Sequence, residues 1–214
     1  MTRKRFWDDP YLTRLETQVV SVEGDWIGLE ETILYAFSGG QESDRGAIGE
    51  CEVLEARKEG HEIRYRLAPD HGLEPGAAVA LTLDWPRRYR LMRLHFAAEL
   101  VLELVTARLP EAQKIGAHIA EDKARIDFAW PESVSALLPE LEAAAAEIVE
   151  ADREIVSAFS DEAAERRYWE LPGFARVPCG GTHLKRSGEV GPLALKRKNT
   201  GKGKERIEIR LLRP

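Results

Sequence analysis

At Trp85-Pro86 the hydrophobic period of the chain changes, and a chain whose period changes must build two kinds of structure. Before that point the pattern is that of strands. Thr17–Val22 alternates, Glu23-Gly24-Asp25 supplies a turn, and Trp26–Leu29 follows. Glu50–Arg57 and His61–Leu67 predict a hairpin about Glu59-Gly60, and Ala77–Leu83 predicts one more strand. Short strands separated by glycine and proline turns predict a small barrel. After Pro86, which suits the first turn of a helix, Leu91, Leu94, Ala98, Val101 and Val105 recur at spacings of three and four. A second hairpin is expected over His118–Ile119 and Ala124–Trp130. Leu141, Ala145, Ile148, Ala151, Ile155 and Phe159 then predict one long helix, with Ser160-Asp161-Glu162 capping a further short one. Val190–Lys196 and Glu205–Leu212 return to strand, so the fold class is α+β.

Charge is distributed unevenly along the 214 residues. The chain carries a net −6, yet from Lys185 to Pro214 ten Lys and Arg stand against three Glu, which leaves −13 on the first 184 residues. Arg87, Arg88, Arg90 and Arg93 form a second basic cluster. Basic patches on an acidic chain favour a local polyanion site over general nucleic-acid affinity, although solvated faces give the same count. No apolar run approaches the roughly 18 residues of a membrane span, so no membrane partner is expected. Met1–Tyr11 has no apolar core of a secretory signal. Two cysteines, Cys51 and Cys179, are too few for a disulfide framework, and a cytoplasmic location is expected.

Two local pairs have the chemistry of metal ligands. His95 and Glu99 lie four apart on the expected helix, hence on one face. In Cys179-Gly180-Gly181-Thr182-His183 a thiol and an imidazole lie four apart in a glycine-rich turn. Brought together, the pairs would complete a tetrahedral zinc site. Each pair alone is a weak signal, since a lone histidine beside an apolar stripe is more often a hydrogen-bonded core residue and an i,i+4 His–Glu pair is a common surface contact. Glu99 follows Ala98 of the buried stripe, where a carboxylate needs a partner or a cation. Ser38-Gly39-Gly40-Gln41 lets a backbone approach a ligand closely, and Asn199–Lys204 is a cationic loop suited to phosphates.

In this order the segments resemble the alanyl-tRNA editing family, which comprises the editing domain of alanyl-tRNA synthetase and its free-standing AlaX relatives. Thr32, Ser38-Gly39-Gly40-Gln41 and Asp44-Arg45-Gly46 resemble its glycine-rich N-terminal motif. Arg88–His95 resembles the approach to its first zinc ligand, Cys179–His183 its second metal motif, and Gly201-Lys202-Gly203 its closing segment. The resemblance implies a β-barrel-like domain over residues 1–84 and a zinc-containing α/β editing domain over 85–214. It implies a carboxylic ester hydrolase that removes serine, with glycine as a further candidate, from mischarged alanine tRNA. Such a second sieve is useful because a site sized for alanine rejects both amino acids poorly.

Thr32 and Gln41 would face the aminoacyl pocket, beside Ser38, Gly39 and Gly40. Arg87, Arg88, Lys202 and Lys204, with Gly201 and Gly203, would meet tRNA phosphates. No obligate protein partner is implied. Zn2+ would be held by His95, Glu99, Cys179 and His183. The family has a second histidine where this chain has Glu99. That carboxylate either ligates zinc, or acts as general base beside a three-residue site, or marks a weakened site. Two other readings stay open: a non-catalytic zinc-stabilised tRNA-binding module, and an esterase for another aminoacyl-tRNA.

Overall fold

The computed structural model describes residues 1–212, which part into two compact units. The first comprises Met1–Ser38 and Glu42–Tyr89, the second Gly39–Gln41 and Arg90–Pro214. None of the described helices is long and apolar enough to cross a membrane.

The first unit is mostly strand. Its first strand β1 (Arg3–Lys4) and short helix α1 (Arg5–Asp8) precede β2 (Arg14–Glu23), β3 (Trp26–Leu29), β4 (Glu31–Thr32), β5 (Gly46–Ile48), β6 (Cys51–Glu52), β7 (Glu55–Glu59), β8 (Glu62–Arg66) and β9 (Ala78–Leu83). β1 pairs with β4, and the rest form a seven-stranded sheet in the order β6-β5-β9-β2-β3-β8-β7. Laid flat, its two edges would stand about 29 Å apart at the usual strand spacing. Only Val53 and Leu54 separate the edge strands β6 and β7 in the chain, so the sheet must curl into a half-barrel. Its interior is apolar, with Ile27, Leu29, Ile48, Tyr65, Leu67 and Leu81 fully buried.

Helix α2 (Trp85–Arg108) starts where the period changes. Asp84 Oδ1 accepts the Arg87 N–H at 3.1 Å, and Pro86 fills a first-turn position whose missing N–H costs nothing. Leu91, Leu94, Ala98, Val101 and Val105 are buried as the spacing requires, but so are Met92, Phe96, Ala97, Leu100 and Leu104. Burial therefore extends around the helix, which a single stripe does not convey.

The second unit continues with β10 (Gln113–Ile119), β11 (Ala124–Ala129), α3 (Leu138–Glu150), β12 (Val156–Asp161), β13 (Arg166–Leu171), β14 (Ala175–Pro178), β15 (Leu193–Gly201) and β16 (Lys204–Leu211). One antiparallel sheet runs β10-β11-β16-β15, and a second runs β12-β13-β14. The long helix expected to reach Phe159 ends at Glu150. Asp152 turns left-handed at φ 42°, and its carboxylate and backbone bind Arg186 and Gly188, fixing the exit. Phe159 and Ser160 lie in strand β12, so no helix is capped there. Pairing with β13 outweighs the helical spacing of Ile155 and Phe159, an override that local sequence does not reveal.

Candidate metal centre

Helix α2 places His95 and Glu99 one turn apart, with both side chains turned inward at 6% and 15% exposure. One residue beyond His95, Phe96 meets the buried Trp169 of β13 edge-on, ring centroids 5.1 Å apart. This contact seats the three-stranded sheet on α2. β14 then delivers the cysteine, whose N–H extends the ladder to the Arg167 carbonyl at 2.9 Å. Cys179 Sγ lies 3.4 Å from His95 Nε2. The turn that follows returns His183, with Nε2 3.7 Å from Glu99 Oε2. One donor atom from each of His95, Glu99, Cys179 and His183 lies within 4.8 Å of the others.

Glycine is demanded here. A Cβ on Gly181 would sit 2.1 Å from His95 Cε1, so any side chain would displace the ring. Gly40, left-handed at φ 90°, would carry its Cβ 2.7 Å from the Ala117 carbonyl. That close approach lets the Gly40 carbonyl accept the Ile119 N–H and fixes Gln41 beside β10.

The fully buried Gln41 decides which nitrogen of His95 faces the cluster. Its Oε1 accepts the Thr182 backbone N–H at 3.3 Å, while its Nε2 donates to Thr182 Oγ1 at 2.9 Å. A backbone N–H can only donate, so the amide orientation is settled. The 2.5 Å contact from His95 Nδ1 to Oε1 is then a donated hydrogen bond. His95 therefore presents Nε2 to the cluster. On the opposite side Ser157 Oγ meets His183 Nδ1 at 3.2 Å and leaves that Nε2 facing inward as well. Outer partners of this kind orient metal-binding imidazoles.

The electrostatics are those of crowded donors. Burial pushes the His183 imidazole well below its ordinary range, keeping it neutral. Burial, with the Glu99 charge adding to it, pushes the Cys179 thiol up. For His95 and Glu99 burial opposes both charges, but their attraction prevails and raises the imidazole while lowering the carboxyl. Two buried atoms, Glu99 Oε2 and His183 Nε2, have no hydrogen-bond partner among the described residues. Buried polar atoms are ordinarily paired, and a cation between these two would satisfy both. Thiol, imidazole and carboxylate are the donors zinc takes, so the residues present fit that ion.

A cavity of about 30 Å³ adjoins the cluster. His95 and Glu99 border it, with Ala98 and Leu102 of α2 and Ile119 and Ile126 of the sheet as apolar walls. Of the other expected site residues, Gly39 lines this cavity, and Gly201, Lys202, Gly203 and Lys204 form the exposed β15–β16 turn. Thr32 and Ser38 belong to the first unit. There the buried Thr32 hydroxyl meets Tyr65 Oη at 2.6 Å and accepts the Leu34 N–H, and the Ser38 carbonyl accepts Tyr35 Oη–H.

The two arginines expected on phosphates are occupied instead. Arg88 is fully buried between Asp44 and the carbonyls of Pro10 and Ile33. Arg87, also buried, binds the Glu42 carboxylate and the Ser43 carbonyl. Guanidinium groups so engaged tie the first unit together, and the phosphate contacts expected of them remain a proposal. Thr182 and Ser157 were not foreseen as supports. Ser157 carried no readable signal, because its segment reads as helix.

The comparisons with known proteins point to one family. Residues 172–208 match the family described as Threonyl and Alanyl tRNA synthetase second additional domain. The Alanyl-tRNA editing protein AlaX-M of Pyrococcus horikoshii is 33% identical over 213 residues, 98% of this chain and 97% of that protein. AlaX-M of Saccharolobus solfataricus is also 33% identical, over 97% and 98% of the two chains. The Alanine--tRNA ligase of Methanopyrus kandleri is 34% identical over 97% of this chain, which matches 25% of that enzyme. Near-complete overlap at this identity makes the chain a member of the alanyl-tRNA editing family.

Proposed function

We propose that the protein is a zinc-dependent aminoacyl-tRNA hydrolase that removes serine, and in second place glycine, from mischarged alanine tRNA in trans. One observation carries the reading: four metal-ligand side chains converge beside a small cavity, two of their buried atoms without a hydrogen-bond partner, in a chain that aligns with an AlaX-M protein almost end to end. A bound zinc ion would supply positive charge to polarise the ester carbonyl or to hold the substrate's amino group. His95, Glu99, Cys179 and His183 would hold it, with Gln41 and Ser157 fixing the two rings. Glu99 stands where the family resemblance implies a histidine and keeps an oxygen without a hydrogen-bond partner, which favours its role as ligand over general base.

The small cavity beside the donors suits a small side chain. Size alone does not separate serine from alanine, so a hydrogen bond to the serine hydroxyl must. Gln41 has one amide N–H beyond its bond to Thr182 and is the residue we assign to it. The equivalent role of Thr32 rests on the resemblance alone. Lys202 and Lys204, exposed at the hairpin turn, are assigned to tRNA phosphates.

The test is a deacylation panel with purified seryl-, glycyl- and alanyl-tRNA, all on alanine tRNA. Seryl-tRNA is expected to be hydrolysed fastest and correctly charged alanyl-tRNA slowest. Equal rates on all three would refute editing, and no reaction on any with tRNA still bound would establish the non-catalytic module.

A further inference from the structure

The sheet β10-β11-β16-β15 has two unlike faces. One packs Ile126, Phe128, Ile207 and Ile209 inward, all buried. The registers place Lys198 opposite Arg206, Arg206 opposite Asp127, and Lys196 opposite Glu208 on the other face. Side chains on a strand alternate, so Arg125, Lys204 and Arg210 share that face. Lys196 and Lys198, and likewise Lys204 and Arg206, thus stand about 6.8 Å apart along their strands, with Lys198 and Arg206 about 4.8 Å apart across them.

Acidic groups on this face are outnumbered. Six cations face two carboxylates, Asp127 and Glu208, within a chain of net −6. Asp127 is shared by Arg206, at 2.6 Å, and Arg125. Glu208 takes Lys123 at 3.0 Å, with Lys198 and Arg210 close enough to stabilise its charge further. Like charges directly opposite one another, as in Lys198 and Arg206, oppose sheet pairing. Lys196, Lys198, Lys204 and Arg210 remain exposed. Between the cations the paired outward positions hold only small or polar residues, among them Gly116, Ala129 and Ala194, while the exposed Ile115 and Leu212 stand apart, at the β10 bulge and past the end of β16. A protein interface core or a membrane surface would need apolar anchors there, whereas a nucleic-acid backbone needs only the charge.

We propose that this face binds the tRNA body through its phosphates, as a non-sequence-reading platform beyond the Lys202–Lys204 turn. The proposal rests on the tRNA-directed reading above, and its test uses uncharged alanine tRNA so that binding is scored separately from hydrolysis. Lys196→Gln, Lys198→Gln and Arg210→Gln are combined in one protein. Each residue is exposed, and circular dichroism with zinc content checks the fold.

Affinity for the tRNA should fall about 10-fold or more, and the slope of log Kd against log salt should flatten by about 2 to 3, near 0.7–0.9 for each phosphate no longer neutralised. Arg14→Gln with Lys58→Gln, exposed cations of the first unit, should leave both quantities unchanged. The proposal is overturned by unchanged affinity and slope in the sheet variant. An equal loss in the control variant overturns it too, as does a loss confined to vesicles of phosphatidylserine and phosphatidylcholine with tRNA binding intact. Failure of the wild-type protein to deacylate seryl-tRNA would instead refute the hydrolase reading.

Discussion

Each unit buries a charged cluster, and the two are built on opposite principles. In the first unit the Arg88 guanidinium spends its donors on Asp44 and on the Pro10 and Ile33 carbonyls, while Asp44 Oδ2 also takes the Tyr35 N–H. In the second unit His95, Glu99, Cys179 and His183 converge with Glu99 Oε2 and His183 Nε2 lacking hydrogen-bond partners among the described residues. Both clusters carry the desolvation cost of buried charge. Only the second leaves bonding capacity unspent. Unspent capacity gathered on clustered metal-ligand side chains, not burial of charge alone, marks the second cluster as a site.

The largest effect expected from this contrast is on stability. Arg88→Met would strand the Asp44 carboxylate, and denaturant unfolding should show a loss of about 3–5 kcal/mol. If the contrast holds, the same variant binds zinc as the wild type does once folded. A variant of unchanged stability would show that the first cluster is not a strut.

Glu99→Gln comes next. It removes one ligand of four, and with about 10–16 kcal/mol for a structural zinc site that share corresponds to a loss of affinity near 10²–10³-fold. Activity should fall with metal content. Full zinc occupancy with a rate loss of about 10²–10⁴-fold would make Glu99 the general base instead.

Gln41→Ala should weaken zinc binding by a smaller factor, about 10–100-fold, since it frees the His95 ring without removing a ligand. Ser157→Ala should fall at the low end of that range, because its contact to His183 is longer. Competition with a chelator of known affinity measures both. Equal affinity in all three proteins would mean that the outer shell does not orient the rings.

What could be read from the chain follows the range of the interactions involved. His95 and Glu99 were legible because helix geometry converts a spacing of four into one face. Cys179 and His183 were legible because the motif between them is short and glycine-rich. The charge state of Arg88 was legible, but not its burial, since basic residues in a row look alike whether solvated or paired. The role of Gln41 depends on partners 54 and 141 positions away, and no local pattern reports such distances. Ser157 was hidden by a helical spacing that the left-handed exit at Asp152 overrules. The curl of the first sheet was legible only as a run of short strands, because strand order is a long-range property.

Titration of zinc into metal-stripped protein tests the central claim most directly. Around pH 7 the Cys179 thiol and the His95 imidazole, both raised, carry protons that the ion must displace. Glu99 and His183, both lowered, are already unprotonated. Binding should therefore release about two protons per ion, so apparent affinity rises with pH by about two decades per pH unit near neutrality. One zinc per chain with that proton release is the predicted result. No saturable binding, or binding without proton release, would contradict the assignment of these four residues as the metal centre.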